Sequence, residues 1–353
     1  MKILIDILHP ADVNFFKNAI NILKEKSNDI IITFRHRGKI IELLKSELQN
    51  EQFIPVGQHH DSILGKVFSF ATRNFNLLMF LRKNNFDLCT SYGFFVGIAS
   101  YFYRMPSVLF GDDYEYKLAH FLSEFSGDYF IIPASVPSTG KNILKYKGFK
   151  ELAYLHPNYF KPDRKVLEQY GITPNNYVFI REVSRASLNY KNLRQMGLPE
   201  IIWNLNNLGL DVVLSLEDKT RADSLKDKCI ILEEPVDDIF SLMHFALFTI
   251  SSGDSMARES CLVGTPTIYT GGRDMAVNKE LIERGCMFKA DNEKQLNVAM
   301  TNIIEKDIKE ETKRTIEKAV KYEWMDTTKV ILDILTGVAN KDESLLERYK
   351  VEQ

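Results

Sequence analysis

The chain is poor in cysteine: Cys89, Cys229, Cys261 and Cys286 are the only four in 353 residues, and none forms a CxxC pair. That excludes a zinc ribbon, a dithiol redox motif and a disulfide framework, and a reducing compartment is expected. Neither sign of charge dominates, with 45 Lys+Arg against 47 Asp+Glu and a formal net charge of −2. A general polyanion binder carries a basic footprint, so nucleic acid is not an expected partner. No stretch reaches the roughly 18 uncharged apolar residues of a membrane span. The opening run Met1-Lys-Ile-Leu-Ile-Asp6 meets an acid before it can form a signal-peptide apolar region, so a cytoplasmic location is expected. Eleven prolines and 18 glycines are too few for a disordered or fibrous chain.

What is present is ordinary globular composition, 45% hydrophobic and 26% charged. At about 150 residues per domain the length suggests roughly two domains. Short continuous apolar runs alternate with segments of helical period. Residues 2–7, 29–34, 52–56, 87–91, 107–110 and 129–132 read as strands. Segments after them, such as 13–23, 39–48, 62–83, 96–104 and 115–125, read as helices. The rhythm restarts at 177–181 and continues through strands at 211–215, 229–232, 246–250 and 267–269, then helices over 295–304 and 307–335. Strands buried on both faces and alternating with helices predict two doubly wound parallel sheets. We expect an N-terminal Rossmann-like acceptor domain over 1–155 and a C-terminal Rossmann-like donor domain over 165–335. A charged tail is expected over 336–353, and residues 145–162 read as the inter-domain connection. Ligands of such sheets bind outside the carboxyl ends of the strands, so function is sought in the loops there, in a cleft the two domains face.

The strongest local signal is Ile250-Ser-Ser-Gly-Asp-Ser-Met-Ala-Arg-Glu259, followed by Gly264-Thr-Pro266. A buried strand ends in a small-residue turn that opens a helix. Backbone N–H groups there can approach an anion, with the helix dipole adding a favourable field. Ser252, Gly253, Asp254, Ser255 and Met256 are therefore expected to hold a nucleotide diphosphate. Glu259, one turn further on, is expected to accept from the ribose hydroxyls. The plainer alternative is an N-cap followed by a solvated helix acid.

This segment is similar to the donor stretch of GT-B glycosyltransferases and of non-hydrolysing UDP-GlcNAc 2-epimerases. More closely, the chain resembles an uncharacterised family of predicted bacterial and archaeal GT-B-type glycosyltransferases, catalogued as a domain of unknown function. The resemblance rests on Ile5-Asp-Ile-Leu-His-Pro-Ala-Asp-Val-Asn-Phe-Phe16 and Gly253-Asp-Ser-Met-Ala-Arg-Glu259, and it covers most of residues 1–340. It implies a GT-B fold and a nucleotide-sugar substrate, with no cofactor and no metal. The family's N-terminal motif carries two further histidines where this chain has Asp12 and Asn14. In inverting GT-B enzymes the loop after the first strand often supplies the base for the acceptor hydroxyl, and either His or Asp can do this. Asp12 is the first candidate and His9 the second. The alternatives are a helix cap for Asp12 and a loop-fixing neutral ring for His9. Asp254 places a negative charge beside the expected diphosphate, where it would repel the ligand.

Arg181 follows the first strand of the second half at a position where the resembling family also has an arginine, and it can neutralise charge on a leaving diphosphate. An Arg181–Glu182 surface pair is the alternative, and Arg185 is a weaker donor-binding candidate. Asp112 and Asp113 can hydrogen-bond acceptor hydroxyls or cap the helix near 115, with Tyr92 a weaker acceptor-binding candidate. Gly271 and Gly272 lie in the region that contacts the donor sugar in GT-B enzymes, or form an ordinary turn. Residues 62–83 mix phenylalanines with Lys66, Arg73, Arg82 and Lys83. Such a stretch either lies on an anionic membrane surface, as a lipid-linked acceptor would need, or buries its apolar side in the core.

The leading expectation is a metal-independent inverting glycosyltransferase. It would move a sugar from a UDP-linked donor onto a glycan or lipid-linked acceptor in surface polysaccharide synthesis, peripheral to the inner membrane face. The alternatives are a non-hydrolysing UDP-sugar 2-epimerase and a nucleotide-sugar-binding protein that has lost catalysis. Against the epimerase, Thr90-Ser-Tyr-Gly93 lacks the acid those enzymes carry in a Gly-Asp-Thr loop.

Overall fold

The computed structural model of the chain describes residues 1–36, 40–48, 52–58, 63–184, 197–233, 236 and 238–350, with backbone alone for 58 and 63–68. Two compact units emerge: Met1–His156 with Trp324–Gln353, and Pro157–Glu323.

The first unit is built on β1 (Lys2–Ile7), α1 (Pro10–Glu25), β2 (Asp29–His36), α2 (Ile40–Glu47), β3 (Phe53–Gln58) and α3 (Ile63–Lys83). It continues through β4 (Leu88–Tyr92), α4 (Phe95–Tyr103), β5 (Ser107–Phe110), α5 (Lys117–Ser126), β6 (Tyr129–Pro133), β7 (Ile143–Tyr146) and α6 (Leu152–Leu155). Its seven strands pair in parallel in the order β3-β2-β1-β4-β5-β6-β7. Ile3, Leu4 and Ile5 are fully buried, as a strand covered on both faces requires. The order reverses between β1 and β4. Right-handed crossovers therefore put α1 and α2 on one face and α3, α4 and α5 on the other. Arg73 of α3 is buried: it donates to the Asp6 carboxylate at 2.5 Å and to the Val56 carbonyl, tying α3 to the ends of β1 and β3. Arg73 thus belongs to the interior and not to a basic solvent face of 62–83; Ser62 and the Lys66 side chain lie outside the described residues.

The second unit contains α7 (Lys165–Glu168), β8 (Tyr177–Glu182), α8 (Leu198–Asn207), β9 (Asp211–Leu216), β10 (Ile230–Ile231), α9 (Ile239–Phe245), β11 (Phe248–Ser251) and α10 (Asp254–Leu262). After them come β12 (Thr267–Tyr269), α11 (Ala276–Glu283), β13 (Met287–Lys289), α12 (Glu293–Glu305) and α13 (Ile308–Tyr322). Its parallel sheet runs β10-β9-β8-β11-β12-β13, reversing between β8 and β11. Val178, Ile180, Val212, Leu214, Phe248 and Ile250 form the centre of its core.

Four expectations are corrected at the end of the chain and in the connection. The single helix expected over 307–335 is two helices, α13 and α14 (Thr327–Asn340). The break falls where Asp326 caps α14, its carboxylate accepting from Lys329 N at 3.1 Å. From Trp324 onward the chain returns to the first unit, so the second does not run to 335. Thr327 and Thr328 donate to the carbonyls of Phe149 and Ala153 at 2.8 and 2.6 Å. The stretch expected as a charged tail, 336–353, instead contains the end of α14 and a short α15 (Glu343–Glu347), and it buries Leu346 and Tyr349. Residues 145–162 are likewise no bare connection, since β7 pairs with β6 and all four residues of α6 are buried.

The chain has two tryptophans, Trp203 in the second unit and Trp324 in the first, so each unit carries its own fluorescent reporter. Ile334→Ala, at a fully buried site of α14, is expected to destabilise the first unit by about 2–5 kcal/mol. In urea unfolding, a Trp203→Phe background should show the Trp324 transition moved to lower urea. A Trp324→Phe background should show a much smaller shift for Trp203, and equal shifts would contradict this assignment of α14.

Candidate functional site

In the first unit the carboxyl ends of β1, β4 and β5, adjacent in the sheet, gather a cluster of ionisable groups. Asp12 lies in the first turn of α1. It is buried, and its Oδ2 accepts from the N–H groups of Leu8 and His9 at 3.0 and 2.9 Å. Burial pushes its pKa up from 3.8 to about 7, while those two donors and the charge of Lys150 restrain the rise. His9 is the N-cap of α1, and its Nδ1 accepts from Ala11 N at 3.2 Å. A neutral ring that accepts at Nδ1 carries its proton on Nε2, leaving no lone pair there for a base. Both plain readings are therefore realised in part: His9 caps the helix through its ring, and Asp12 closes the same turn through its carboxylate.

Asp112, two residues beyond β5, is buried and pairs with Lys150 Nζ at 3.1 Å. The same ammonium sits 4.9 Å above the ring of Tyr92, the last residue of β4. Burial and the Asp112 charge hold the Tyr92 phenol well above its usual range. Asp113 accepts from Tyr116 N at 3.3 Å just before α5, which is the turn-forming alternative. His120 is packing: Nε2 meets Ser138 Oγ at 2.9 Å, and burial lowers its pKa. Lys150 was not among the candidates, because Lys147-Gly-Phe-Lys150 reads as connection and only the β7 crossover brings it to this end of the sheet.

In the second unit Gly253 precedes α10, which has no side-chain cap, and Ser255 and Met256 of the first turn are partly exposed. A Cβ on Gly253 would stand 2.9 Å from Val183 Cγ1, so the side chain that follows β8 leaves room here for glycine. Ser252 does not offer its hydroxyl outward: it accepts from Val183 N at 2.9 Å and donates to the Arg181 carbonyl at 3.4 Å. Glu259 is buried one turn after Ser255. Arg258 is buried too, donating to Asn278 Oδ1 at 3.1 Å. The negative charge at Asp254 is matched inside the unit. Tyr269 donates its hydroxyl to Oδ1, and Arg273 pairs with Oδ2 at 2.6 Å. Gly271 lies against the Tyr269 ring, where a Cβ would overlap it, and Gly272 has φ +69°, so both glycines are needed by this turn itself. Arg273 was missed because a lone arginine in a Gly-Gly loop gives no periodic signal.

Arg181 does not form the surface pair with Glu182. Its guanidinium donates to Ser215 Oγ at 2.8 Å and Glu217 Oε1 at 2.5 Å, whereas Glu182 is held by Arg221 at 2.7 Å. With Glu217 already beside it, Arg181 contributes little net positive charge to an anion. Arg185 lies outside the described residues. Among the described residues no group of three or more His, Cys, Asp or Glu side chains could hold a metal ion.

The Asp254–Arg273 pair is largely desolvated, with side-chain exposures of 7% and 17%. Arg273→Met should leave Asp254 uncompensated and destabilise the second unit by about 3–5 kcal/mol. Adding Asp254→Asn should recover much of that loss in urea unfolding followed by Trp203. No recovery in the double variant would show that the loss arises elsewhere.

The comparisons agree with this architecture. An uncharacterized protein of Methanocaldococcus jannaschii is 23% identical over 316 residues, covering 84% of this chain and 89% of that protein. Among solved structures, a UDP-N-acetylglucosamine 2-epimerase from Rickettsia bellii matches with a TM-score of 0.73 and 15% identity, covering 97% of this chain and 98% of that one. MurG of Acinetobacter baumannii matches with a TM-score of 0.61 and 12% identity, covering 95% and 99%. At such identities the likeness shows the fold alone, two Rossmann-like parallel-sheet domains. The family pattern described as "Protein of unknown function (DUF354)" matches residues 1–336, and the chain belongs to that family.

Proposed function

We propose that the protein is a metal-independent inverting glycosyltransferase that moves a sugar from a UDP-linked donor to a hydroxyl of a glycan or lipid-linked acceptor. What carries the reading is Asp12: a buried carboxylate at the carboxyl end of β1 whose pKa of about 7 matches the requirements of a general base at neutral pH. In this reading Asp12 takes the acceptor proton and the oxygen attacks the anomeric carbon. The carbon–oxygen bond to the diphosphate breaks, and the nucleoside diphosphate leaves with the electron pair. The first-turn N–H groups of α10, at Ser255 and Met256, meet the diphosphate, and Glu259 holds the ribose. Asp112, Asp113 and Tyr92 bind the acceptor. His9 orients the Asp12 turn, and Arg181 stays with Glu217, outside the anion site. The likeness of fold to MurG and to a UDP-GlcNAc 2-epimerase supports a nucleotide-sugar substrate.

A 2-epimerase reading also has a specific observation behind it, the buried acids Asp112 and Glu151 of the first unit. It would need no acceptor, so conversion of UDP-GlcNAc by the protein alone would decide for it and against the transferase.

Glu259→Ala should weaken UDP binding in calorimetry by about tenfold or more, the loss of one or two hydrogen bonds to a charged group. Unchanged affinity would remove Glu259 from the donor site. Asp12→Asn should leave UDP affinity intact while abolishing transfer, and wild-type kcat/KM should rise as pH increases through about 7. Linkage gives a second readout. Between 3.8 and about 7 the folded protein binds the Asp12 proton and the unfolded chain does not. Stability from Asp12 therefore falls as pH rises across that window. Asp12→Asn, which keeps an acceptor for Leu8 and His9, should flatten this slope in thermal melts, and an unaltered slope would contradict the raised pKa.

A further inference from the structure

Among the described residues, every exposed large apolar side chain of the first unit lies on α3, α4 or α5 or at Tyr116 just before α5. The densest part is a strip across α4 and α5. Tyr101, Phe102, Leu118, Phe121 and Phe125 are each between 59% and 69% exposed. Their rings form one run: Tyr101 meets Phe102 at 6.2 Å and Phe125 at 5.8 Å, and Phe125 stacks on Phe121 at 6.1 Å. Leu118, Phe121 and Phe125 recur at i, i+3 and i+7, one face of α5, and that face is turned to solvent although helices of such sheets normally turn it to the core. The inner side of α5 is filled by His120, Ser123 and Ser126, which are buried. Apolar residues and small or polar ones have thus exchanged sides.

Two exposed cations flank the strip. Arg104 follows Tyr103 at the end of α4 and Lys117 precedes Leu118, and both are exposed. The acid within the α5 stretch, Glu124, has its carboxylate against Gly140. We propose that this α4–α5 face docks the protein onto an anionic lipid surface, with the aromatic strip entering the interface and Arg104 and Lys117 meeting lipid phosphates. Tyrosine rings suit that boundary because one end is apolar and the other polar. An interfacial mode fits a chain in which no described helix is long and apolar enough to cross a membrane. A second copy of the chain is a poorer occupant. A two-fold contact would set this strip against itself, bringing cation towards cation. The inference does not rest on the transferase reading.

Flotation of the purified full chain with vesicles tests it, using phosphatidylcholine alone and phosphatidylcholine mixed with phosphatidylglycerol. Wild type should float with the anionic vesicles and hardly with the neutral ones. Arg104→Glu with Lys117→Glu should weaken that binding by about tenfold or more. Phe102→Ser with Phe121→Ser should abolish it without lowering the melting temperature, since both side chains are exposed. If the serine variant melts early, the charge-reversal pair decides alone. Absence of wild-type binding to anionic vesicles, or binding unchanged by charge reversal, would overturn the proposal. A dimer in light scattering that the serine variant disperses, without vesicle binding, would assign the face to a second copy.

Discussion

A parallel sheet covered on both faces leaves its polar side chains no outlet except its ends, and that constraint organises both units. In the first, Asp6, Asp12 and Asp112 stand at or beyond the carboxyl ends of the central strands, where the switch between β1 and β4 splays the crossovers apart. Each is answered locally: Asp6 by Arg73 and Thr33, Asp12 by two backbone N–H groups, and Asp112 by Lys150. In the second, Lys309 shows the same economy at the opposite end, donating to the carbonyls of His244 and Ala246 at 2.5 and 2.9 Å where α9 ends. Desolvation draws its pKa down to about 7. Each of these four buried groups is met by a polar partner at the end of a sheet.

The three answers differ in what they leave available. Arg73 locks Asp6 into the fold by joining two strand ends and a helix. Lys150 spreads its charge over Asp112, the Tyr92 ring and, at longer range, Asp12. Asp12 has only uncharged donors in direct contact, and burial moves it into the neutral range. The second unit follows the same logic with opposite emphasis. Asp254 and Arg181 are both matched by neighbours, so the uncapped first turn of α10 remains as the feature with electrostatic reach.

The fold was legible where apolar runs are continuous and helices periodic. Ile3-Leu-Ile5, Val212-Val-Leu214 and Phe248-Thr-Ile250 announce buried parallel strands, and the Ser251–Glu259 segment announces a strand-to-helix turn. What could not be read was long-range pairing. Residues 307–335 carry helical period throughout, and the break at Trp324 follows from two halves of that stretch packing on different units. β7 is only four residues long and is a strand because β6 lies beside it. Lys150 and Arg273 owe their positions to crossovers and to a glycine turn, which local sequence does not encode. Arg73 looked like one more cation on an amphipathic helix, and its burial depends on Asp6, 67 residues away.

The chain leaves the first unit after His156 and re-enters it at Trp324, so the second unit is an insertion within the first. On a translating ribosome the order of completion is thereby inverted. The inserted lobe has all its strands and helices by Glu323, while the lobe that holds the amino terminus still lacks α14, whose Ile331, Ile334 and Leu335 are wholly buried in the finished molecule. The first part to be made is the last to be sealed, and until then the helical layer around α1 stays open to chaperones and proteases.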